Sequence, residues 1–372
     1  MKKITKIGIL VSGFPPTTIG GVEIATQKIA QLLSERHLEV HLIMRNVRFN
    51  INGQKRSLKK IEKYQGYIIH RIPCVSSSIF RFITHVFFGL KKLIEIKPDI
   101  IHAQQLTPNG LIAIVGGKIL RKKTLVWIRG SEFYNSSSIY LKSLGKFIIS
   151  RANIVLAISH HMKQQMKRLW PQKSIFTLGN GITLENYFHD PTPKTYIEII
   201  FVGRLIKNKR VSDALFAISN LKDHILPIIF TIIGSGTMEK PLRKECILLN
   251  ITEHVQFLGE ISPSKIPTYL SKADLFIFPS ISEGLPNAIL EAMASSLPIL
   301  AARITAIPEL VHDNINGLLH SPGDIKELSE NLNTLIQDEN LRKLMGQKSY
   351  QLAQNYSWKK IINKLLNFYF NM

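Results

Sequence analysis

The chain has 372 residues, 45% hydrophobic and 20% charged, which suits two ordinary domains and excludes a disordered or collagen-like polypeptide. Its two cysteines, Cys74 and Cys246, exclude a disulfide framework and a thiolate metal cluster, so a reducing compartment is expected. The net charge of +22 is lopsided, with 29 Lys and Arg against 9 Asp and Glu in residues 1–190 and 19 against 17 in residues 191–372. A basic half points to an anionic contact (nucleic acid, acidic phospholipid or a phosphorylated acceptor) or to solvated lysine alone.

The start, MKKITKIGILVSGFPP, places lysines ahead of an apolar run. That run, Ile7–Val11, is too short for a secretory core and reads as a first strand. No apolar run reaches bilayer-spanning length, so the expected location is the cytoplasm, peripheral at the inner face of the plasma membrane where it meets lipid. Gly20 and Gly21 open a helix with apolar Val22, Ile24, Ala25, Ile29, Leu32 and Leu33, and Val40–Ile43 is a second strand. Glycines at a helix start let backbone approach a phosphate or a sugar, although the spacing is not GxGxxG and the dinucleotide fingerprint is absent. Asn50 to Tyr64 reads as a basic loop with Lys55, Arg56, Lys59, Lys60 and Lys63. Ser76 to Ile96 reads as a helix rich in Phe and Ile, flanked by Arg81, Lys91 and Lys92: a core helix or an interfacial one. PDIIHAQ supplies a strand with His102 at its end, and Leu125–Ile128 another that ends at Arg129. Asn153–Ser159 and the strand-turn SIFTLGNGI close the first domain.

Residues 183–196 are polar with two prolines and read as a linker. The strand Ile197–Val202 then ends in Gly203, Arg204 and, six residues beyond the glycine, Lys209. Two cations at a strand's carboxyl edge suit an anionic ligand, the alternative being a solvated basic turn. Helix Val211–Leu221, strand Ile228–Ile233 with its Gly234-Ser235-Gly236 end, helix Met238–Leu249, strand Val255–Leu258 and helix Ser264–Ser271 follow. Strands alternating with helices at this spacing predict a parallel, doubly wound sheet in each half. The stretch Phe276–Ala302 repeats the unit: a buried strand, a polar loop with Glu283, a helix Asn287–Ala294 with Pro286 suited to its first position, and a strand opened by Leu297 and Pro298. Glu291 lies within that nearly all-apolar helix, where a carboxylate needs a partner. Alternatively, Glu283 caps the helix and Glu291 is a solvated surface residue. The tail YSWKKIINKLLNFYF reads as a terminal helix.

The run SEGLPNAILEAMA, followed by PILAA and IPELV, resembles the donor-binding region of retaining glycosyltransferase family 4. That family's Glu, seven residues, Glu pattern falls on Glu283 and Glu291. The resemblance implies the GT-B fold: two Rossmann-like doubly wound domains facing across a cleft, with a C-terminal helix crossing back. It implies residues 1–185 plus 356–372 as the acceptor-binding domain and residues 186–355 as the nucleotide-sugar domain. Glu291 would hold ribose hydroxyls and Glu283 the hydroxyls of the transferred sugar. Arg204 and Lys209, with Gly203, Gly234 and the backbone of Gly284, Leu285, Pro286, Asn287 and Ala288, would take the diphosphate. Gly20 and Gly21 would lie near donor diphosphate and acceptor, with His102 and Arg129 on the acceptor side. The family often has His where this chain has Arg129; Arg cannot accept a proton, but its planar fork suits an anionic acceptor or a structural pair with Glu132. Ser296 stands where the family usually has Gly.

The implied reaction is transfer of a hexose-type sugar, with retention, from a UDP- or GDP-linked donor to a hydroxyl of a glycan or lipid-linked acceptor in cell-surface polysaccharide synthesis. No cofactor and no metal are expected, since the two cations meet the diphosphate. Competing readings are a nucleotide-sugar epimerase or hydrolase on the same fold, and a basic nucleic-acid-binding protein, for which no recognisable module is present.

Overall fold

Short runs rich in Ile, Leu, Val and Phe make the strands, and most read as continuous apolar stretches because helices cover both faces of a parallel sheet. The computed structural model describes residues 4–14, 20–46, 49–51, 54–56, 59–73, 75, 78–129, 139–188, 190, 194–221 and 227–371. The chain divides into two units, Met1–Asn180 with Ile361–Met372, and Gly181–Lys360. The divisions lie within five residues of the expected 185/186 and 355/356.

The strands of the first unit are β1 (Lys6–Leu10), β2 (Glu39–Arg45), β3 (Phe49–Ile51), β4 (Gln54–Arg56), β5 (Ile61–Tyr64), β6 (Tyr67–Ile72), β7 (Ile100–Ala103), β8 (Lys123–Ile128), β9 (Ile154–Ala157) and β10 (Ile175–Thr177). Eight of them form one sheet in the order β10-β9-β8-β7-β1-β2-β6-β5, parallel except for β5 against β6. Its helices are α1 (Gly21–Ser34), α2 (Ser78–Ile96), α3 (Leu111–Leu120), α4 (Ile139–Arg151) and α5 (His160–Leu169). Where a basic loop was expected at 50–64, β3 and β4 pair as a short hairpin and β5 joins the sheet. The turn between β5 and β6 is Gln65-Gly66, both at positive φ (45° and 87°), the twist that a two-residue hairpin needs. The side chains of Lys55 and Arg56 lie outside the described residues.

The second unit holds β11 (Ile197–Val202), α6 (Val211–Ser219), β12 (Ile228–Ile233), α7 (Glu239–Leu248), β13 (Val255–Gly259), α8 (Ile266–Leu270), β14 (Leu275–Phe278), α9 (Asn287–Ala294), β15 (Ile299–Ala302), β16 (Gly317–His320), α10 (Ile325–Gln337) and α11 (Glu339–Ala353). The last helix, α12 (Trp358–Phe370), begins in this unit and ends among residues grouped with the first. The sheet order β13-β12-β11-β14-β15-β16 is all parallel. The chain moves outward one way from β11 and the other way from β14, so the carboxyl ends of these two neighbours flank the topological switch point, where open α/β sheets hold ligands.

Two local details of α9 differ from expectation. Pro286, expected to suit the first helical position, is instead the N-cap in extended backbone (φ −74°, ψ 117°), and Asn287 is the first helical residue. At the other end, Ser296 N–H donates to Met293 O (3.1 Å) and Leu297 N–H to Ala292 O (3.1 Å), a Schellman closure with Ser296 at φ 57°. The left-handed conformation explains why glycine suits this position. Ser296→Gly is therefore expected to stabilise the fold by about 1 kcal/mol, read as a raised denaturation midpoint at unchanged slope.

Candidate active site

The loop after β11 and the loop after β14 meet through three contacts. Asn208 O accepts from Ile281 N–H (2.9 Å) and from Ser280 Oγ (3.1 Å), and the Lys209 ammonium pairs with the Glu283 carboxylate. Ser280 Oγ also lies 2.5 Å from Glu283 Oε1. Lys209 Nζ sits 4.9 Å from the centroid of the Phe278 ring, so a cation–π contact and a carboxylate hold it from two sides. The Lys209 and Glu283 side chains are 13% and 12% exposed. An ammonium carries three donors, so Lys209 retains hydrogen-bonding capacity for an anion while paired.

On the same loop as Lys209, Arg204 is exposed and makes no hydrogen bond or ion pair through its side chain among the described residues. Its loop is braced from β12. Gly203 N–H donates to Ile233 O (2.9 Å), Leu205 N–H to Ser235 O (2.8 Å) and Gly234 N–H to Gly259 O (2.8 Å). Gly234 (φ 135°) presses on Gly203 O so closely that a Cβ there would collide with backbone. Gly234 must be glycine for this approach, whereas a Cβ at Gly203 would meet the Phe201 ring at 3.0 Å.

The helix α9 supplies the remaining elements. Its first turn follows Pro286 and carries Asn287 and Ala288, after Gly284 and Leu285 of the loop. Glu291 is partly buried, and its carboxylate has no hydrogen-bond or ion-pair partner among the described residues. Burial pushes its pKa up to about 7. The segment after the unit division brings Tyr187 near it: burial, then the Glu291 carboxylate, push that phenol upward. Because the folded-state pKa of Glu291 exceeds the ordinary 4.5, the folded protein holds this proton more tightly than the unfolded chain. Its contribution therefore falls as pH rises from about 4.5 to about 7 and levels above. Glu291→Gln is expected to remove that slope, leaving the variant more stable than wild type at pH 8 by at most about 3 kcal/mol. Urea melts across pH 5 to 8 would show it.

In the first unit, α1 opens at Gly20, in extended backbone (φ −158°), with Gly21 as its first residue and no side-chain cap. A Cβ at Gly20 would lie 2.6 Å from Glu23 Oε2, so the carboxylate folds over this helix start. The loop residues Pro15–Ile19 lie outside the described residues. His102 is 0% exposed: its Nδ1 lies 2.6 Å from Tyr369 Oη, it stacks on Trp127 at 6.0 Å, and its Nε2 has no hydrogen-bond partner among the described residues. Burial and then the Arg129 charge push its pKa down to about 3, so it is neutral and belongs to the core. Arg129, 8% exposed, donates to Gln104 Oε1 (3.0 Å) and to Asn180 Oδ1, with its guanidinium 4.1 Å from the Trp127 ring centroid. Gly130, Ser131 and Glu132 lie outside the described residues.

The sequence reading missed Ser280, Asn208 and Tyr187. Ser280 had a signal: Ser, two residues, Glu is the spacing of a reciprocal cap, here used to hold a loop.

Two family models match side by side: Glycosyltransferase Family 4 over residues 19–186 and Glycosyl transferases group 1 over residues 185–352. The chain belongs to glycosyltransferase family 4. This glycosyltransferase is 25% identical over 349 residues to an uncharacterized glycosyltransferase of Methanocaldococcus jannaschii, covering 92% of each chain. It is 23% identical over 372 residues to the capsular polysaccharide biosynthesis glycosyltransferase CapM of Staphylococcus aureus, again 92% of each. Among solved structures, HepE of Anabaena in complex with UDP superposes at a TM-score of 0.81 with 17% identity, over 99% of this chain and 100% of that one. HepE has also been solved with UDP-glucose. The glycosyltransferase thus has the expected GT-B fold, built from two α/β units with parallel sheets.

Proposed function

We propose that this glycosyltransferase moves a hexose-type sugar, with retention and without a metal, from a UDP- or GDP-linked donor to a hydroxyl of a glycan or lipid-linked acceptor. The carrying observation is the Lys209–Glu283 pair, held across two loops at the switch point of the second sheet, with an exposed Arg204 on one of those loops that has no ion-pair partner among the described residues. Arg204 and Lys209 meet the diphosphate, with the first backbone N–H groups of α9 and the Gly203–Gly234 contact allowing close approach. Glu291, without a partner among the described residues, accepts from the ribose hydroxyls, and hydrogen bonding to its charged form offsets the cost of its burial. Glu283 accepts from hydroxyls of the transferred sugar.

As the bond from the anomeric carbon to the diphosphate oxygen breaks, charge gathers on that oxygen, and fixed cations stabilise it more than they stabilise the ground state. The acceptor hydroxyl attacks from the face that the diphosphate leaves. Its proton passes to a leaving phosphate oxygen, and anomeric configuration is kept. The first unit's proposed part is acceptor binding at the carboxyl edge of its sheet, with Arg129 and the Gly20-Gly21 helix start. Relatives such as CapM support cell-surface polysaccharide as the product class; its synthesis at the cytoplasmic side of the membrane is part of the proposal.

The test is a panel of nucleotide sugars scored by thermal stabilisation, followed by transfer to oligosaccharide acceptors and assignment of the new anomeric centre by NMR. Stabilisation by a UDP- or GDP-sugar and an unchanged anomeric configuration support the reading. An altered sugar released without any acceptor, or inversion, overturns it.

A further inference from the structure

The helix α2 has two apolar faces, and only one of them is covered. His85, Gly89, Leu93 and Ile96 are buried and share one side at about 100° per residue. That side packs inward: a Cβ at Gly89 would lie 2.9 Å from Ile112, and one at Gly116 2.8 Å from Leu93. On the opposite side Phe80, Ile83, Phe87 and Ile94 are 64%, 55%, 62% and 42% exposed. Their spacing gathers all four within about 60° of arc. Neither of the two readings of this helix, core or interfacial, covers it alone.

A second observation fixes the chemistry of what this face meets. Lys91 falls at the edge of the same stripe and also lines a cavity of about 220 Å³ with Lys60, Arg71 and Lys92. Arg71 is paired with Glu62 (2.7 Å) and Lys92 with Glu95. Lys60 and Lys91 are exposed and form no ion pair among the described residues. Ile61, at the rim, is 57% exposed. Large apolar side chains flanked by unpaired lysines match the boundary of a bilayer, with rings at the acyl level and ammonium groups among lipid phosphates. A second copy of the chain fits poorly, because the 29-to-9 basic excess of this half would face itself. No helix among the described residues is long and apolar enough to cross a membrane, so this contact lies in the plane of the surface.

We propose that α2 docks the protein on an anionic phospholipid bilayer, with Phe80, Ile83 and Phe87 in the acyl boundary and Lys60 and Lys91 on lipid phosphates. This goes beyond the transfer reaction and is read without substrate, so the two stand or fall separately. The experiment is co-sedimentation of the full chain with vesicles of phosphatidylcholine alone or of phosphatidylcholine with phosphatidylglycerol. Binding is expected only with phosphatidylglycerol and should fall with added salt. Phe80→Ser with Phe87→Ser, and separately Lys60→Glu with Lys91→Glu, should each lower partition at least about 10-fold at unchanged melting temperature. Equal binding to both vesicle types, or unchanged partition in either double variant, overturns the proposal. So does self-association in solution that the Phe variant abolishes while wild type ignores vesicles, since the face would then join two copies.

Discussion

Glu283→Gln is expected to lower transfer about 10²-fold or more while UDP binds as tightly as before or tighter. The two halves of this expectation have one cause. Glu283 pairs with Lys209 and sits 2.5 Å from Ser280 Oγ, so the loop after β14 holds the carboxylate in a fixed place. Under the proposed reaction, a carboxylate fixed there stabilises hydroxyls whose polarity grows as the sugar gains positive character, and a preorganised contact of that kind is worth about 3–4 kcal/mol. It also neutralises half of the cationic pair that the diphosphate needs. Glutamine keeps the shape and removes the charge, which frees the Lys209 ammonium for the phosphate. Steady-state rates with the identified donor and calorimetry with UDP measure the two quantities. Unchanged transfer would remove Glu283 from the reaction. A parallel loss of rate and UDP affinity would assign it the narrower role of positioning Lys209.

Several elements of the second unit were legible because each carries its own punctuation. Ile197–Val202, Ile228–Ile233 and Asn287–Ala294 fall where predicted: the strands are apolar runs closed by glycine, and the helix follows a Gly-Leu-Pro turn. The hairpin of β5 and β6 was missed because its turn uses Gln65 where Asn or Asp is the familiar signal. Arg204, Lys209 and Glu283 could each be named from the sequence as candidates in loops that follow strands, but their relations could not. Lys209 and Glu283 are 74 residues apart and meet because β11 lies beside β14, a matter of sheet order that local pattern does not encode. His102 shows the same gap from the other side. A histidine at a strand end looks available, yet Tyr369, 267 residues later, closes over it. Long-range packing decides which polar residues at a strand end face a ligand and which are used up in the core.

Arg204→Ala is expected to weaken UDP or GDP binding by about 10-fold, and Arg204→Ala with Lys209→Ala by about 10²-fold, on the scale of a hydrogen bond to a charged group. The effects should not add cleanly if, as proposed, both cations answer to one diphosphate. They also differ in kind. Arg204 is exposed and unpaired among the described residues, so its loss costs the free protein little and appears almost wholly in affinity. Lys209 is 13% exposed, and removing it leaves the Glu283 carboxylate, 12% exposed, without its cation beside an incoming anion. Lys209→Ala should therefore lower stability as well as affinity, and Glu283→Gln in the same chain should restore part of both. Calorimetry with UDP and GDP across this double-mutant cycle separates direct phosphate contact from pairing. Affinity unchanged in the double alanine variant would place the diphosphate elsewhere. Full rescue of binding by Glu283→Gln would mean that Lys209 serves only to neutralise its carboxylate, leaving Arg204 as the cation that meets the leaving group.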